Sequence, residues 1–251
     1  MEFLNTRIDN LTFDETLDRI EALIDNGAGG YVVTPNVDHI VQLETNEKLR
    51  KAYQEAALSL TDGQPLIWIS KWLRCPIKEK ISGSDLFPRL CELSVRKGYR
   101  MYFLGAAPGV AELAAENLKK KYPGLQIVGI CAPEYGFEKN EAQKEKIWQD
   151  IHKTQPQVLI VALGAPKQEI FLWEHRKELK GILAFGFGAC LDFEAGRIKR
   201  APRWMQRSGM EWFYRLCKEP RRLFKRYLID DMKILPIVWK YRKVGRNENR
   251  N

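Results

Sequence analysis

The chain has 251 residues, 45% hydrophobic and 29% charged, with 18 Gly and 12 Pro; this globular composition excludes a disordered or collagen-like chain, and the length is ample for a buried core. Five cysteines (Cys75, Cys91, Cys131, Cys190, Cys217), odd in number, widely spaced and without a CxxC pair, exclude a disulfide framework and predict free thiols in a reducing compartment. The net charge of +9 is uneven: residues 195–251 hold 17 Lys/Arg against 5 Asp/Glu (+12), leaving 24 against 27 (−3) in residues 1–194, so an anionic partner is expected for the tail.

The N-terminus shows no basic segment followed by an apolar stretch, so no signal peptide is expected. From Phe13 to Ile24 a helical pattern opens near Asp14 and stops before Gly27. Short β-branched or apolar runs follow at Tyr31–Val33, Leu58–Leu60, Met101–Leu104, Gln126–Val128, Val158–Val161 and Ile182–Phe185. Between the third and fourth, Val110, Leu113, Ala114 and Leu118 share one helical face, opened by Pro108-Gly109 and closed by Tyr122-Pro123-Gly124. Strand, loop and helix repeated about six times predict a parallel α/β sheet with helices on both faces. No stretch approaches the roughly 18–20 apolar residues that span a bilayer.

In such sheets ligands bind at loops after the carboxyl ends of strands. Those loops carry Thr34-Pro35-Asn36-Val37-Asp38, Thr61-Asp62-Gly63-Gln64-Pro65, Gly105-Ala106-Ala107-Pro108-Gly109, Gly164-Ala165-Pro166-Lys167-Gln168-Glu169 and Gly186-Phe187-Gly188-Ala189. Their small residues (Gly105, Gly164, Gly186, Gly188) let backbone amides approach a ligand, and helix N-termini favour phosphate, so a nucleotide-type ligand is expected. Neither a Walker loop nor a GxGxxG fingerprint is present. Asp62 follows a strand directly and is read either as a general base or as a helix N-cap. Lys167 and Gln168 either meet a diphosphate or sugar hydroxyls or begin a solvated helix. Asp230-Asp231 sits in a basic amphipathic stretch and reads as local charge pairing; no metal site is expected, since His39, His152 and His175 lie near no cysteine at ligand spacing.

In order along the chain stand Thr34-Pro35-Asn36, Asp62-Gly63, Gly83-Ser84-Asp85-Leu86, Phe103-Leu104-Gly105, Pro108-Gly109-Val110-Ala111-Glu112, Gly164-Ala165-Pro166-Lys167-Gln168-Glu169, Lys199-Arg200-Ala201-Pro202, Glu211-Trp212-Phe213-Tyr214-Arg215-Leu216 and Glu219-Pro220-Arg221-Arg222. Together they resemble the WecG/TagA/CpsF family of bacterial glycosyltransferases, family 26, from about Leu4 to Trp239. The resemblance implies a Rossmann-like core (1–194) with a basic, α-helical, membrane-associating C-terminal appendage (195–251). It also implies transfer of a sugar, of the N-acetylmannosamine type, from a UDP-sugar to a polyprenyl-diphosphate-linked acceptor. Such transfer serves wall teichoic acid or other surface polysaccharides, and another hexose or a uronate is the alternative donor.

By the same resemblance Asp62 is the catalytic aspartate, Thr34 the active-site threonine and Gln168 the donor-pocket glutamine, with Asn36 in the Thr34 motif. Arg215 and Arg222 match appendage arginines, while Lys80 and Lys225 stand where teichoic-acid members carry arginine, keeping charge but losing the fork. The segment Thr34–His39 looks more like the exopolysaccharide branch. With no Asp-x-Asp donor site, a metal-independent reaction with no cofactor is expected, cations stabilising the leaving diphosphate. The tail interleaves Trp204, Trp212, Phe213, Tyr214, Phe224, Tyr227, Trp239 and Tyr241 with Lys/Arg, which suits a lipid interface or a nucleic-acid surface. The expected partner is the anionic inner leaflet rather than nucleic acid, with the protein cytoplasmic and peripheral, and with room for a homo-oligomer. A non-catalytic binder of nucleotide sugars or anionic polymers is the competing reading.

Overall fold

The protein is described here as a computed structural model covering residues 1–248; the side chains of Arg207, Arg222 and 243–248, and all of 249–251, lie outside the described residues. A hairpin, β1 (Glu2–Phe3) and β2 (Thr6–Arg7), precedes α1 (Phe13–Asp25). It carries no pattern in the sequence, yet Phe3 of β1 and Ile8 just after β2 are buried. Thr12 opens α1 with a capping box: its hydroxyl accepts the Glu15 amide, and the Glu15 carboxylate accepts the Thr12 amide.

The chain continues through β3 (Gly30–Val33), α2 (Val37–Leu43), α3 (Glu47–Gln54), β4 (Leu58–Ser59), α4 (Gln64–Trp72), α5 (Gly83–Lys97), β5 (Arg100–Gly105), α6 (Val110–Lys121), β6 (Gln126–Cys131), α7 (Glu141–Thr154), β7 (Val158–Ala162), α8 (Lys167–Glu174), β8 (Leu183–Gly186) and α9 (Cys190–Glu194). The last six strands form one parallel sheet in the order β4-β3-β8-β7-β5-β6. All six correspond to the apolar runs read from the sequence, and every residue of β7 is buried, as a strand covered on both faces must be.

The sheet's period of two sorts its side chains into two cores. Val32, Phe103, Ile160 and Phe185 face α1, α5, α6 and α9. Tyr31, Val33, Leu104, Leu159 and Val161 face α2, α3, α7 and α8. After α9 come α10 (Arg203–Arg207), α11 (Glu211–Lys218), α12 (Pro220–Lys225), a π-helical turn at Arg226–Asp230 and α13 (Ile234–Glu248). This segment is packed against the sheet layers. Ile234, Ile237 and Val238 of α13 are buried in the same core as Ile40 and Leu43 of α2, and Lys240 pairs with Glu44 at 2.8 Å.

Candidate active site

At the carboxyl ends of β3 and β4 the sheet opens into a cleft of about 380 Å³, within the range of small-molecule sites. Asn36, Asp62 and Gly63 line it from the strand loops, Lys80, Ser82 and Ser84 from the segment before α5 and its first turn, and Phe193 from α9. Glu211, Trp212, Arg215, Arg226, Tyr227 and Asp231 close it from the C-terminal segment. The loops after β3 and β4 and the basic tail therefore share one cavity.

The loop carrying Asp62 is held by backbone. The Asp62 amide donates to the Pro35 carbonyl at 2.8 Å, and the Ile81 amide donates to the Thr61 carbonyl at 2.7 Å. The N-cap of α4 is Gly63, at φ 97° and with no side-chain cap bond. Asp62 is thus not a helix cap, and its carboxylate is left to the cleft. A side chain at Gly63 would be strained in that left-handed backbone, so glycine there frees the turn.

Burial pushes the Asp62 carboxyl up to about 6; Lys80 opposes the rise, Glu211 and Asp85 add to it, and Arg215 opposes it. Lys80 is itself anchored, its Nζ 3.1 Å from Asp85. Asp85 accepts the Ser82 hydroxyl at 2.7 Å and the Arg200 guanidinium at 2.6 Å. Burial acts to raise Asp85, but the Ser82 hydroxyl, Lys80 and Arg200 outweigh it and hold that carboxyl below its ordinary value. Arg200 also donates from Nε to Glu211 at 3.0 Å. One arginine thereby ties the first turn of α5 to α11. At the far side of the cleft burial likewise pushes Asp231 up to about 6, against Arg226 and with Asp38 and Asp230, while Arg226 pairs with Asp38 at 3.1 Å.

Of the residues singled out in the sequence, Asn36, Asp62, Lys80 and Arg215 meet in the cleft. Thr34 is buried just past β3. Gln168 is buried rather than aimed into the cleft: its carbonyl accepts the Gly188 amide at 3.1 Å, and its amide donates to Glu169 at 2.9 Å. Gly186 makes room for that side chain, since a Cβ there would stand 3.0 Å from the Gln168 amide nitrogen. Gly105 packs on the neighbouring strand, where a Cβ would meet the Ala162 carbonyl at 2.6 Å. Gly105, Gly164, Gly186, Gly188 and Lys167 do not line the cleft. Lys167 pairs with Glu138 at 3.0 Å and lies 4.3 Å from the centre of the exposed Tyr135 ring. Lys225 is exposed at the end of α12, and the Arg222 side chain lies outside the described residues. Asp230 pairs with Lys233 at 2.7 Å, as local charge pairing predicts, but Asp231 turns to the cleft.

Sequence reading gave no site role to Glu211, Arg226 or Glu169, took Asp231 for local charge pairing and set His39 aside as a metal ligand. Glu211 and Glu169 stand inside the quoted motifs, and that position was their only signal; the packing of the tail over the sheet ends is not written in any local pattern. Among the described residues no group of three His, Cys, Asp or Glu side chains is placed to hold a metal ion. No helix among them is long and apolar enough to cross a membrane.

The chain is 31% identical, over 199 residues, to an N-acetylglucosaminyldiphosphoundecaprenol N-acetyl-beta-D-mannosaminyltransferase of Bacillus spizizenii, covering 79% of this chain and 75% of that one. Residues 1–248 match the model of a glycosyltransferase family. With that match running through both the sheet and the segment that closes the cleft, the chain belongs to the glycosyl transferase WecG/TagA/CpsF family.

Proposed function

We propose that this glycosyltransferase moves N-acetylmannosamine from a UDP-sugar to a polyprenyl-diphosphate-linked N-acetylglucosamine in the synthesis of a cell-surface polymer. The observation that carries the reading is Asp62: a carboxylate at the end of a parallel strand, in a cleft, with its proton affinity raised toward neutrality and cations on two sides. The relative's name supplies the sugar and the acceptor.

In the proposed reaction an Asp62 carboxylate oxygen takes the proton of the acceptor hydroxyl as that oxygen bonds to the donor sugar's C1. The bond from C1 to the diphosphate oxygen breaks in the same displacement, and UDP leaves with the electron pair. A base is effective when its pKa lies near the working pH, which burial of Asp62 favours. Lys80 and Arg215 oppose the charge that develops on the leaving diphosphate, the role a metal ion plays in other transferases. Thr34 stands in the loop that carries Asn36, and Arg222 and Lys225 add to the positive charge of the C-terminal segment.

The acceptor's lipid calls for a membrane face. The C-terminal segment leaves Trp204, Phe213, Phe224, Ile229, Leu235 and Trp239 exposed among its Lys/Arg residues, a combination that binds an anionic leaflet peripherally. The test is release of UDP from a panel of UDP-sugars, each with one polyprenyl-diphosphate-linked N-acetylglucosamine. UDP-N-acetylmannosamine should give acceptor-dependent turnover; turnover only with another UDP-sugar reassigns the donor, and none with any overturns the reading.

A further inference from the structure

Behind the cleft lies a buried polar group that the proposed chemistry does not use. Glu169, in the first turn of α8, is 1% exposed. Its Oε1 accepts the Gln168 amide at 2.9 Å and faces His39 Nε2 at 3.7 Å, and its Oε2 has no hydrogen-bond partner. Burying a carboxylate without a cation is costly, and such costs concentrate where function requires them.

His39 occupies the third position of α2, where it completes a capping box. Its Nδ1 accepts the Asn36 amide at 3.2 Å, and its own amide donates to Asn36 Oδ1 at 3.2 Å. Glutamate or glutamine ordinarily completes this box. Histidine does so with a second ring nitrogen on the far side, and here that nitrogen points at Glu169. Because Nδ1 must be bare to accept, the proton of a neutral ring sits on Nε2, toward the carboxylate. At 3.7 Å the coupling is between a charge and an N–H dipole rather than a hydrogen bond.

The box engages Asn36 Oδ1 through one lone pair and leaves the Nδ2 donor outside it, and Asn36 lines the cleft with Asp62. The residue between Thr34 and Asn36, Pro35, receives the Asp62 amide. The same Glu169 oxygen, through Gln168, reaches the Gly188 amide of the loop after β8. One buried carboxylate therefore touches the supports of the loops after β3 and after β8.

We propose that Glu169 and His39 are positioning residues: they lock His39 in the Nε2–H form and so hold the Asn36 Nδ2 donor in the cleft beside Asp62, where it meets a hydroxyl or carbonyl oxygen of the bound sugar. This rests on the transferase reading above for its consequence on turnover, but not for the state of the ring. The charged and titratable groups that face His39 are Glu169 from α8, Tyr53 from α3, Asp38 on its own helix and Arg226 from the C-terminal segment. Burial lowers its proton affinity against the pull of Glu169 and Asp38, which keeps the ring neutral near physiological pH.

Nitrogen-15 spectra of the histidine rings test the state of His39 without any substrate, and three histidines make assignment tractable. The expected spectrum shows bare Nδ1 and protonated Nε2 for His39, unchanged from pH 6 to 8. Glu169→Gln should mix the two neutral forms, and turnover should fall about 10- to 100-fold, the loss that a misplaced contact produces. His39→Ala removes the side-chain acceptor of the Asn36 amide and should lose turnover to a similar extent, whereas His39→Gln, which can still complete the capping box, should lose far less. In an Asn36→Ala background, Glu169→Gln should cost nothing further, a coupling that a merely structural residue does not show. A His39 ring protonated at Nδ1 or titrating near its ordinary pKa overturns the proposal. So does His39→Ala at wild-type turnover, or loss from Glu169→Gln that simply adds to that of Asn36→Ala. If the wild type turns over no UDP-sugar while the ring state is as expected, it is the transferase reading that fails.

Discussion

Replacing Asp62 with Asn should stabilise this protein at neutral pH while disabling it. Burial lifts the Asp62 carboxyl from an ordinary 3.8 to about 6. Each pH unit of that difference corresponds to about 1.4 kcal/mol between the two protonation states, so the ionised form carries a ceiling near 3 kcal/mol. The cleft admits solvent, which brings the expected gain to about 1–3 kcal/mol. In the window from about 4 to 6 the folded protein holds the Asp62 proton more tightly than the unfolded chain does, so wild-type stability is lost as pH rises through it and is level above. Asp62→Asn has no proton to lose. Its advantage should be absent at pH 4, grow to pH 6 and stay constant to pH 8. At about 2–4 °C per kcal/mol for a chain of this size, the melting temperature should rise roughly 2–12 °C at pH 7.5. Turnover should drop by about 10² or more, the share a general base supplies. Calorimetry at pH 4, 6 and 7.5 together with acceptor-dependent UDP release checks both halves. An Asn variant that is no more stable at pH 7.5 than at pH 4, relative to wild type, refutes the burial argument. One with near-normal turnover removes Asp62 from the base role.

In the wild type, turnover should rise with pH through about 6 and then level, because the base works ionised; a rate flat from pH 5 to 8 removes Asp62 as the titrating group. Activity should survive excess EDTA, and its abolition with rescue by Mn²⁺ or Mg²⁺ would overturn the assignment of the diphosphate charge to Lys80 and Arg215. Arg200→Ala leaves Asp85 and Glu211 without their shared guanidinium and should destabilise by roughly 1–3 kcal/mol in a denaturant titration, because it removes one cation from two partly buried carboxylates, of which Asp85 keeps Lys80 and Ser82. Joint replacement of Phe224, Ile229 and Leu235 by Ser should reduce sedimentation with anionic vesicles at least tenfold while nucleotide binding is retained. Unchanged sedimentation would move the membrane contact elsewhere.

What the sequence determined by itself is local. Fully apolar runs such as Val158–Val161 announce strands buried on both faces, and the helical pattern from Phe13, with Asp14 near its start and Gly27 past its end, announces α1, because period and capping act within a few residues. Asp62, placed directly after such a run, was legible as a cleft residue for the same reason. The N-terminal hairpin was not, since its two short strands show no alternation and are held by packing rather than by pattern. Gln168 stood in the right motif, but only the packing of α8 against the loop after β8 turned its amide inward to Gly188 and Glu169. The tail's charge was countable in the sequence, and Arg215 was legible as a cleft residue from its motif, whereas the facts that Arg200 bridges Asp85 to Glu211 and that Glu211, Arg226 and Asp231 reach the Asp62 cleft belong to the tertiary structure alone. Arg200 and Asp85 stand 115 positions apart and Asp62 is still farther from the tail residues of its cleft, and neither hydrophobic period nor turn chemistry carries information over that distance.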